Sequence, residues 1–504
     1  MTEYPGQQQH ARAAIQYLSG AIGQERLYAH LGWRKHDGNW IYLQANGAIG
    51  AKGTVSDLQA RLPADLQQFQ TRLPTGHEAA KKAVRSSLDL LSVAPDRISL
   101  PLLASVYRAP FGAVDFSLFL TGRSGVFKTA LAAMCQQHFG AAMDASHLPG
   151  HFASTANALE ELAFQAKDAL LVVDDFVPTG GTGDGMLEAL AERVFRAAGN
   201  HQGRGRMRGR QLRVPHPPRA LILATGEQVP SGHSLRARLL IVELRAGEVN
   251  RAALTRCQAT AEEGQLATAL GAYLAWIARD YESLQDRLRR RSRELRYEML
   301  GAGAPSVHAR LPGMLAELHS GWEMWLQFAS EIGAINSAEQ PELQQRSRQA
   351  LQEVAAIQSG YHQAGDPARL FVSSLRAALL SGHAHVAGRR GEIPGFPERW
   401  GWKRSHRAWV SQGTRTGGLV GTEIFLDPRA SYRVAQQMAG AGHLAVSVHT
   451  LSRRLHQHGL LVSVESGRGM LLVRRILEGE SRNVLHLKAS DLLGLETESA
   501  QNGS

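Results

Sequence analysis

The residues with the sharpest chemical potential lie in Gly122-Arg-Ser-Gly-Val-Phe-Lys-Thr129. A short apolar run, Phe116–Leu120, leads into this glycine-containing loop, and Lys128 and Thr129 stand at the start of an apolar helix over 129–139. A strand, loop and helix in this order suit a polyphosphate. The backbone N–H groups of Gly122, Arg123, Ser124, Gly125, Val126 and Phe127 turn inward, and the helix N-terminus adds positive potential. Lys128 would bridge the β- and γ-phosphates of ATP, and the Thr129 hydroxyl would ligate Mg²⁺. The match to G-x-x-x-x-G-K-[ST] is incomplete, because Phe127 stands where glycine is the rule. Its ring must point away from the phosphates or distort the loop.

Three further segments carry groups that phosphoryl transfer needs. In Asp168-Ala-Leu-Leu-Val-Val-Asp-Asp-Phe176 an apolar run ends in two carboxylates. At the end of a buried strand this places Asp174 beside the metal and Asp175 beside the attacking water. In Ala220-Leu-Ile-Leu-Ala-Thr-Gly-Glu227 a third buried strand ends in Thr225, a candidate sensor of the γ-phosphate, or else a plain strand-end cap. In Ser234-Leu-Arg-Ala-Arg238 two guanidiniums precede another strand. Arg236 or Arg238 could reach a neighbouring subunit's ATP as an arginine finger. The alternative is a local salt bridge, to Glu243 for example.

Between Asp175 and Thr225 lies a basic segment with Arg204, Arg206, Arg208, Arg210 and Arg213, and no acid from Gly199 to His216. Alternation of Arg with Gly or Met allows a hairpin with one charged face. Arginines on an exposed loop suit a phosphate backbone, so this segment is read as gripping DNA. A contact to ATP between subunits is the competing reading.

These segments resemble a known group. Leu148-Pro-Gly-His-Phe-Ala-Ser-Thr-Ala-Asn-Ala-Leu-Glu160, Ala166–Phe176, Arg196-Ala-Ala-Gly-Asn200 and Ala224-Thr-Gly-Glu227, together with Gly122–Thr129, are similar to the ATPase-helicases of plasmids, phages and integrative elements. That group often carries only a domain-of-unknown-function label and is related to minichromosome-maintenance-like hexameric helicases. The resemblance spans roughly residues 25 to 260 and, more loosely, the C-terminus. It implies an ATP-driven homo-hexameric ring replicating a mobile element, alongside a primase-polymerase or initiator. Members carry Asp-Glu where this chain has Asp174-Asp175. With Phe127, that departure keeps a second reading open, a nucleotide-gated DNA-binding initiator or regulator with little or no hydrolysis.

The elements that must position these groups follow from the apolar pattern. Fully apolar runs at 116–120, 170–173, 220–223 and 239–244 alternate with helical segments, which means a parallel sheet covered by helices. The expected fold is multidomain α/β. It has an N-terminal α+β module (1–110) and an AAA+-like P-loop ATPase core (111–250). A helical region (251–365), a winged-helix DNA-binding domain (366–495) and a disordered tail (496–504) follow. In the winged helix, a helix capped at Ser447 and ending at Gly459 carries Arg453 and Arg454. Strands Leu460–Glu465 and Met470–Arg475 would form the wing. Six arginines between Arg287 and Arg296 read as a solvated helix face.

Composition agrees with this picture. Among 504 residues, Lys+Arg exceeds Asp+Glu by 56 to 45, a net charge of +11, which favours a polyanionic partner. Two cysteines exclude a disulfide framework, and no apolar stretch reaches about 18 residues. A cytoplasmic protein with no membrane contact is expected, without a dedicated transition-metal site.

Overall fold

The structure, a computed structural model, describes residues 8–19, 27–55, 58–179, 181, 183–203, 206–208, 211–213, 215–301, 308–364, 366–406, 408–439, 444, 446–464 and 471–494. The tail expected at 496–504, Arg204 and Arg210 lie outside them.

The chain opens with α1 (Gln8–Leu18) and a short strand β1 (Leu27–Tyr28). An antiparallel meander follows, β2 (Gly32–His36), β3 (Asn39–Gln44), β4 (Gly47–Gly50) and β5 (Gly53–Val55), after which β6 (Gln59–Ala60) pairs parallel with β1. The first turn is Asp37-Gly38, both at positive φ, the backbone that twists correctly for a two-residue hairpin. The meander is built onto the rest of the chain. The Trp33 N–H donates to Asp168 Oδ2 at 2.9 Å, its indole to the Pro110 carbonyl at 2.6 Å, and the Tyr42 hydroxyl to the Asp168 carbonyl at 2.8 Å. Then come α2 (His77–Leu88) and α3 (Asp96–Arg108).

The central sheet joins β7 (Ser117–Thr121), β8 (Gly150–His151), β9 (Leu170–Phe176), β12 (Leu221–Gly226) and β13 (Leu239–Glu243), all parallel. Its order, β13-β7-β12-β9-β8, inserts β12 between β7 and β9. Their apolar side chains are buried because helices flank the sheet, among them α4 (Lys128–Gln137), α5 (Ala156–Gln165) and α6 (Asp184–Asn200). The basic segment after α6 is an antiparallel hairpin of β10 (Arg206–Arg208) and β11 (Gln211–Arg213), pairing Arg206 with Arg213 and Arg208 with Gln211. A short helix α7 (His233–Arg236) precedes β13.

From Arg251 onward the chain is helical, with α8 (Arg251–Glu262), α9 (Gln265–Ala278), α10 (Tyr281–Gly301), α11 (Leu311–Glu331) and α12 (Glu339–Ala364). The arginine run on α10 divides in two. Arg289, Arg290, Arg293 and Arg296 face solvent, whereas Arg291 holds Glu323 of α11 at 2.8 and 3.2 Å and Arg287 holds Gln327 at 2.8 Å. One apolar core extends from Leu31 to Val354, and a second from Ala368 to Leu493. Among the described residues no helix is long and apolar enough to cross a membrane.

The second core is covered by α13 (Pro367–Ser381), α14 (Pro428–Met438) and α15 (Val448–Gln457) and by a five-stranded mixed sheet. Ser447 caps α15 as expected, its hydroxyl accepting from the Thr450 N–H. The hairpin after it is not where the sequence pattern puts it. Residues 460–464 form no strand, and the expected turn, Ser466–Gly469, lies outside the described residues. The observed hairpin pairs strand Val473–Leu477 with Glu480–Lys488 around Glu478-Gly479. Those two residues have φ of +55° and +84°, the backbone a two-residue hairpin loop requires. The glycines of 466–469 gave the stronger local turn signal and drew the expected wing toward the N-terminus. The longer strand then continues into the sheet, so the hairpin is one end of a larger structure rather than a free wing.

Candidate active site

The glycine loop leaves the C-terminal end of β7. Gly122 must lack a side chain, since a Cβ there would sit 2.3 Å from the Leu244 carbonyl oxygen. Phe127 answers the question its position raises. It adopts the left-handed backbone, φ +73°, at the N-cap of α4, where glycine would go without strain. For a side chain this conformation costs about 1–2 kcal/mol. The ring packs on the main core and lies 5.5 Å from the Arg251 guanidinium. The loop thus keeps the backbone path of glycine with phenylalanine in place.

Lys128 Nζ donates to the carbonyls of Gly122 and Arg123, each at 2.8 Å, so its ammonium lies across the mouth of the loop. Burial lowers its pKa, opposed by the attraction of Glu227, Asp174 and Asp175. The Thr129 hydroxyl approaches both oxygens of Asp174, at 3.2 and 3.3 Å. Asp174 is buried at the end of β9, and the Thr225 hydroxyl donates to it from β12. The same Thr225 oxygen accepts the Asp175 N–H at 3.1 Å. One threonine therefore ties both carboxylate-bearing residues to the neighbouring strand.

A bulge produces this arrangement. Ala224 pairs with Val173 and Gly226 with Phe176, so Asp174 and Asp175 together oppose Thr225 alone. Bulges re-aim side chains, and here Asp175 takes φ +73°. Asp174 is directed inward to Thr129, while the Asp175 side chain is 57% exposed and lies 3.9 Å from His151 Nε2. Sequence reasoning assigned no role to His151. It stands on the two-residue edge strand β8, which has no apolar run to announce it, and only the pairing His151 to Asp174 reveals its place.

The two candidate finger arginines stand elsewhere. The Arg238 carbonyl accepts the Ser117 N–H, at the start of β7, whereas the loop leaves its far end. A five-residue strand spans about 16 Å. Arg238 thus sits at the opposite edge of the sheet from its own chain's Lys128. Its guanidinium donates to Asn200 Oδ1 at 2.8 and 3.2 Å and to Ser234. Arg236 is more deeply placed. Its Nε donates to the Pro230 carbonyl at 3.1 Å, and burial lowers its pKa against the attraction of Glu188 and Tyr361. Neither makes the salt bridge to Glu243 that was the alternative; that carboxylate meets Arg245 at 3.4 Å.

The stem of the basic hairpin is anchored to α5. The His216 ring stacks on Phe164 at 4.1 Å, and the Arg219 guanidinium lies 3.7 Å from the centre of the same ring. His216 also meets Glu161 at 2.9 Å. On α15, Arg453 is exposed and Arg454 half-buried, with Leu451 and Leu455 buried beneath them.

A solved structure described as SCCmec type IV Cch, an active helicase, is similar to this chain. The TM-score is 0.58 and the identity 12%, over 97% of this chain and 84% of the other. At that identity the likeness is one of fold. It extends over both cores and includes the parallel sheet. No family model matches the chain, and no curated protein matches it by sequence.

Proposed function

We propose that this chain is an ATP-dependent DNA helicase or translocase serving a mobile genetic element, acting as a homo-hexameric ring with ATP bound between subunits. One observation carries the proposal. Lys128, Thr129, Asp174 and Thr225 meet at one edge of the sheet, while Arg238 stands at the other edge. A subunit built this way holds the phosphate-binding half of a site and presents the arginine half to a neighbour. The parallel order with β12 between β7 and β9 is that of AAA+-type ATPases, and a helicase of known structure shares the fold.

The loop N–H groups and Lys128 would receive the β- and γ-phosphates. Thr129 and Asp174 supply hard oxygen donors already facing each other, which fit Mg²⁺. When bound, Mg²⁺ neutralises phosphate charge. Asp175 would accept the proton of the attacking water, whose oxygen takes the γ-phosphoryl group and releases ADP. Thr225 holds both aspartates in register. The β10–β11 hairpin grips single-stranded DNA. Arg453, on the exposed face of α15, meets duplex DNA if that unit acts as a winged helix. The short Asp175 side chain, held at positive φ and 57% exposed, is the observation that favours the second reading, a nucleotide-gated initiator that binds ATP with little turnover.

Purified protein tests the choice. Single-stranded DNA should raise ATP hydrolysis several-fold, Lys128→Ala should abolish it, and negative-stain images with ATP should show six-fold rings. ATP bound without turnover would sink the motor and leave the initiator. Changing Arg204, Arg206, Arg208 and Arg210 together to Ala should remove only the DNA-stimulated part. Loss of basal hydrolysis would instead assign the hairpin to the ATP interface.

A further inference from the structure

The basic hairpin rises from the C-terminal end of α6, and there the chain gathers more positive charge. Arg310 Nη1 donates to the Gly199 carbonyl at 3.4 Å, and Arg238 donates to Asn200 beside it. Arg196, on the last turns of α6, is exposed. These cations are close enough to act on one another. Burial first, then the charges of Arg310 and Arg196, lower the pKa of Arg238. Carbonyls at a helix C-terminus attract cations, which helps to hold the group together.

The charge continues toward the second core. His308 and His233 face each other with ring centroids 5.8 Å apart. Burial depresses both imidazoles, and Arg454 of α15 adds to the effect on each. Arg310 and Arg238 also act on His308. The band therefore runs from the hairpin root, across the boundary between the two cores, to α15.

The nearby acids do not neutralise it. Glu192 pairs with Arg196 at 2.7 Å, and Asp115 attracts Arg238. Asp366 is committed to His458 at 3.0 Å and to the N–H groups that begin α13. Glu188 acts on Arg236. Four guanidiniums, those of Arg196, Arg238, Arg310 and Arg454, are thus set against the carboxylates of Glu192 and Asp115, with Asp366 acting on His233 from its pair with His458. An excess of like charges, with Arg238, Arg310 and Arg454 half-buried among them, raises the energy of the fold unless an anion completes it.

We infer that Arg196, Arg310, His308, His233 and Arg454 form a track for the phosphodiester backbone of single-stranded DNA, passing beside Arg238 from the β10–β11 hairpin to α15. The inference rests on the DNA-binding reading above and extends it to residues given no DNA contact there, above all Arg310, which no motif singles out. Backbone contact of this kind is independent of base sequence and is read through salt dependence. Arg310, whose guanidinium touches the root of the hairpin, is its most direct test.

The test is oligothymidylate binding across a salt series with no nucleotide present, so that a contact to a neighbour's ATP plays no part. Arg310→Ala should weaken binding several-fold and reduce the slope of log K against log salt by about 0.7, the value of one lost single-strand phosphate contact. Combining it with Arg196→Ala should roughly double the loss of slope. Arg310→Lys, which keeps the charge, should restore most of it, and this separates a phosphate contact from a fault in folding. An unchanged slope in Arg310→Ala overturns the track. So does an Arg310→Lys variant as weak as Arg310→Ala, because packing and not charge would then be the cause. If the wild-type protein binds no oligothymidylate at all, the DNA-binding reading itself fails, an outcome distinct from failure of the track alone.

Discussion

The loop edge of the central sheet and the hairpin end of the C-terminal unit were built by different kinds of information. At the loop edge every element is short, parallel and covered by helices, so a motif at a strand end has one place to go. Lys128, Thr129, Asp174 and Thr225 converge because β7, β9 and β12 are neighbours and all point the same way. In the C-terminal unit the partner of a strand is chosen by the whole sheet. The sequence offers two turn signals there, Ser466–Gly469, which lies outside the described residues, and Glu478-Gly479, which closes the observed hairpin. The first is richer in glycine. The second is flanked by Val473, Leu477 and Val484, which are buried together with Phe425. Burying each of these side chains is worth about 1.5–3 kcal/mol, so apolar burial stabilises the pairing around Glu478-Gly479.

Three experiments would break or sharpen this comparison, and the largest effect belongs to Thr225. If one hydroxyl holds both aspartates, Thr225→Ala should lower kcat by about ten- to hundred-fold with little change in KM for ATP. Thr225→Ser should recover most of it, and an alanine variant with full kcat would reduce Thr225 to a strand cap. Steady-state ATPase assays decide this.

In the C-terminal unit, Gly479→Val should destabilise the 368–493 core by about 1–2 kcal/mol, since a β-branched residue resists φ +84°. The central sheet, and the ATP hydrolysis proposed for it, should be untouched. Chemical denaturation followed by limited proteolysis separates the two cores. A loss shared equally by both would show that they unfold as one.

The smallest effect concerns pH. Burial holds the His138 imidazole down to about 4, where it bonds Ser87 at 2.9 Å and the Met134 carbonyl at 2.9 Å. Its folded pKa lies below its unfolded value, so the stability it contributes is present above about 6.5 and is lost as the pH falls toward 4. Glu323 extends the loss. Burial opposes its ionisation, but the His319 ring 3.4 Å away and the hydrogen bonds from Arg291 prevail and hold it down to about 2, so that contribution fades between about 4.5 and 2. Both groups belong to the larger core. That core should weaken on acidification first, and His138→Gln should flatten the upper part of its pH profile. Urea midpoints measured across the range would show it.

Much of the candidate site is legible in the residues themselves. Lys128, Thr129, Asp174 and Thr225 follow from apolar runs that end in polar groups, since a buried strand can carry such groups only at its ends. The division of labour between the two aspartates was readable as an expectation. The bulge that aims the two side chains apart was not, because a bulge depends on the neighbour's register. His151 was unreadable for the same reason. Its strand is two residues long, and its closeness to Asp175 is set by sheet pairing. Phe127 lay between the two cases. Its position flagged a conflict, and only the packing of its ring beside Arg251 shows how the chain resolves it.

By itself the sequence determined the kinds of group present, their order and the alternation of strand and helix. Apolar periodicity and end-of-strand chemistry are local and survive without knowledge of the partner. Tertiary structure alone decided which groups touch. It paired β12 with both β7 and β9, carried the wing-like hairpin to Glu478-Gly479, and drew Arg196, Arg238 and Arg310 to the end of α6. Those contacts join residues far apart in the chain. Their energies depend on burial and on neighbouring charge, which exist only once the sheet and helices have assembled.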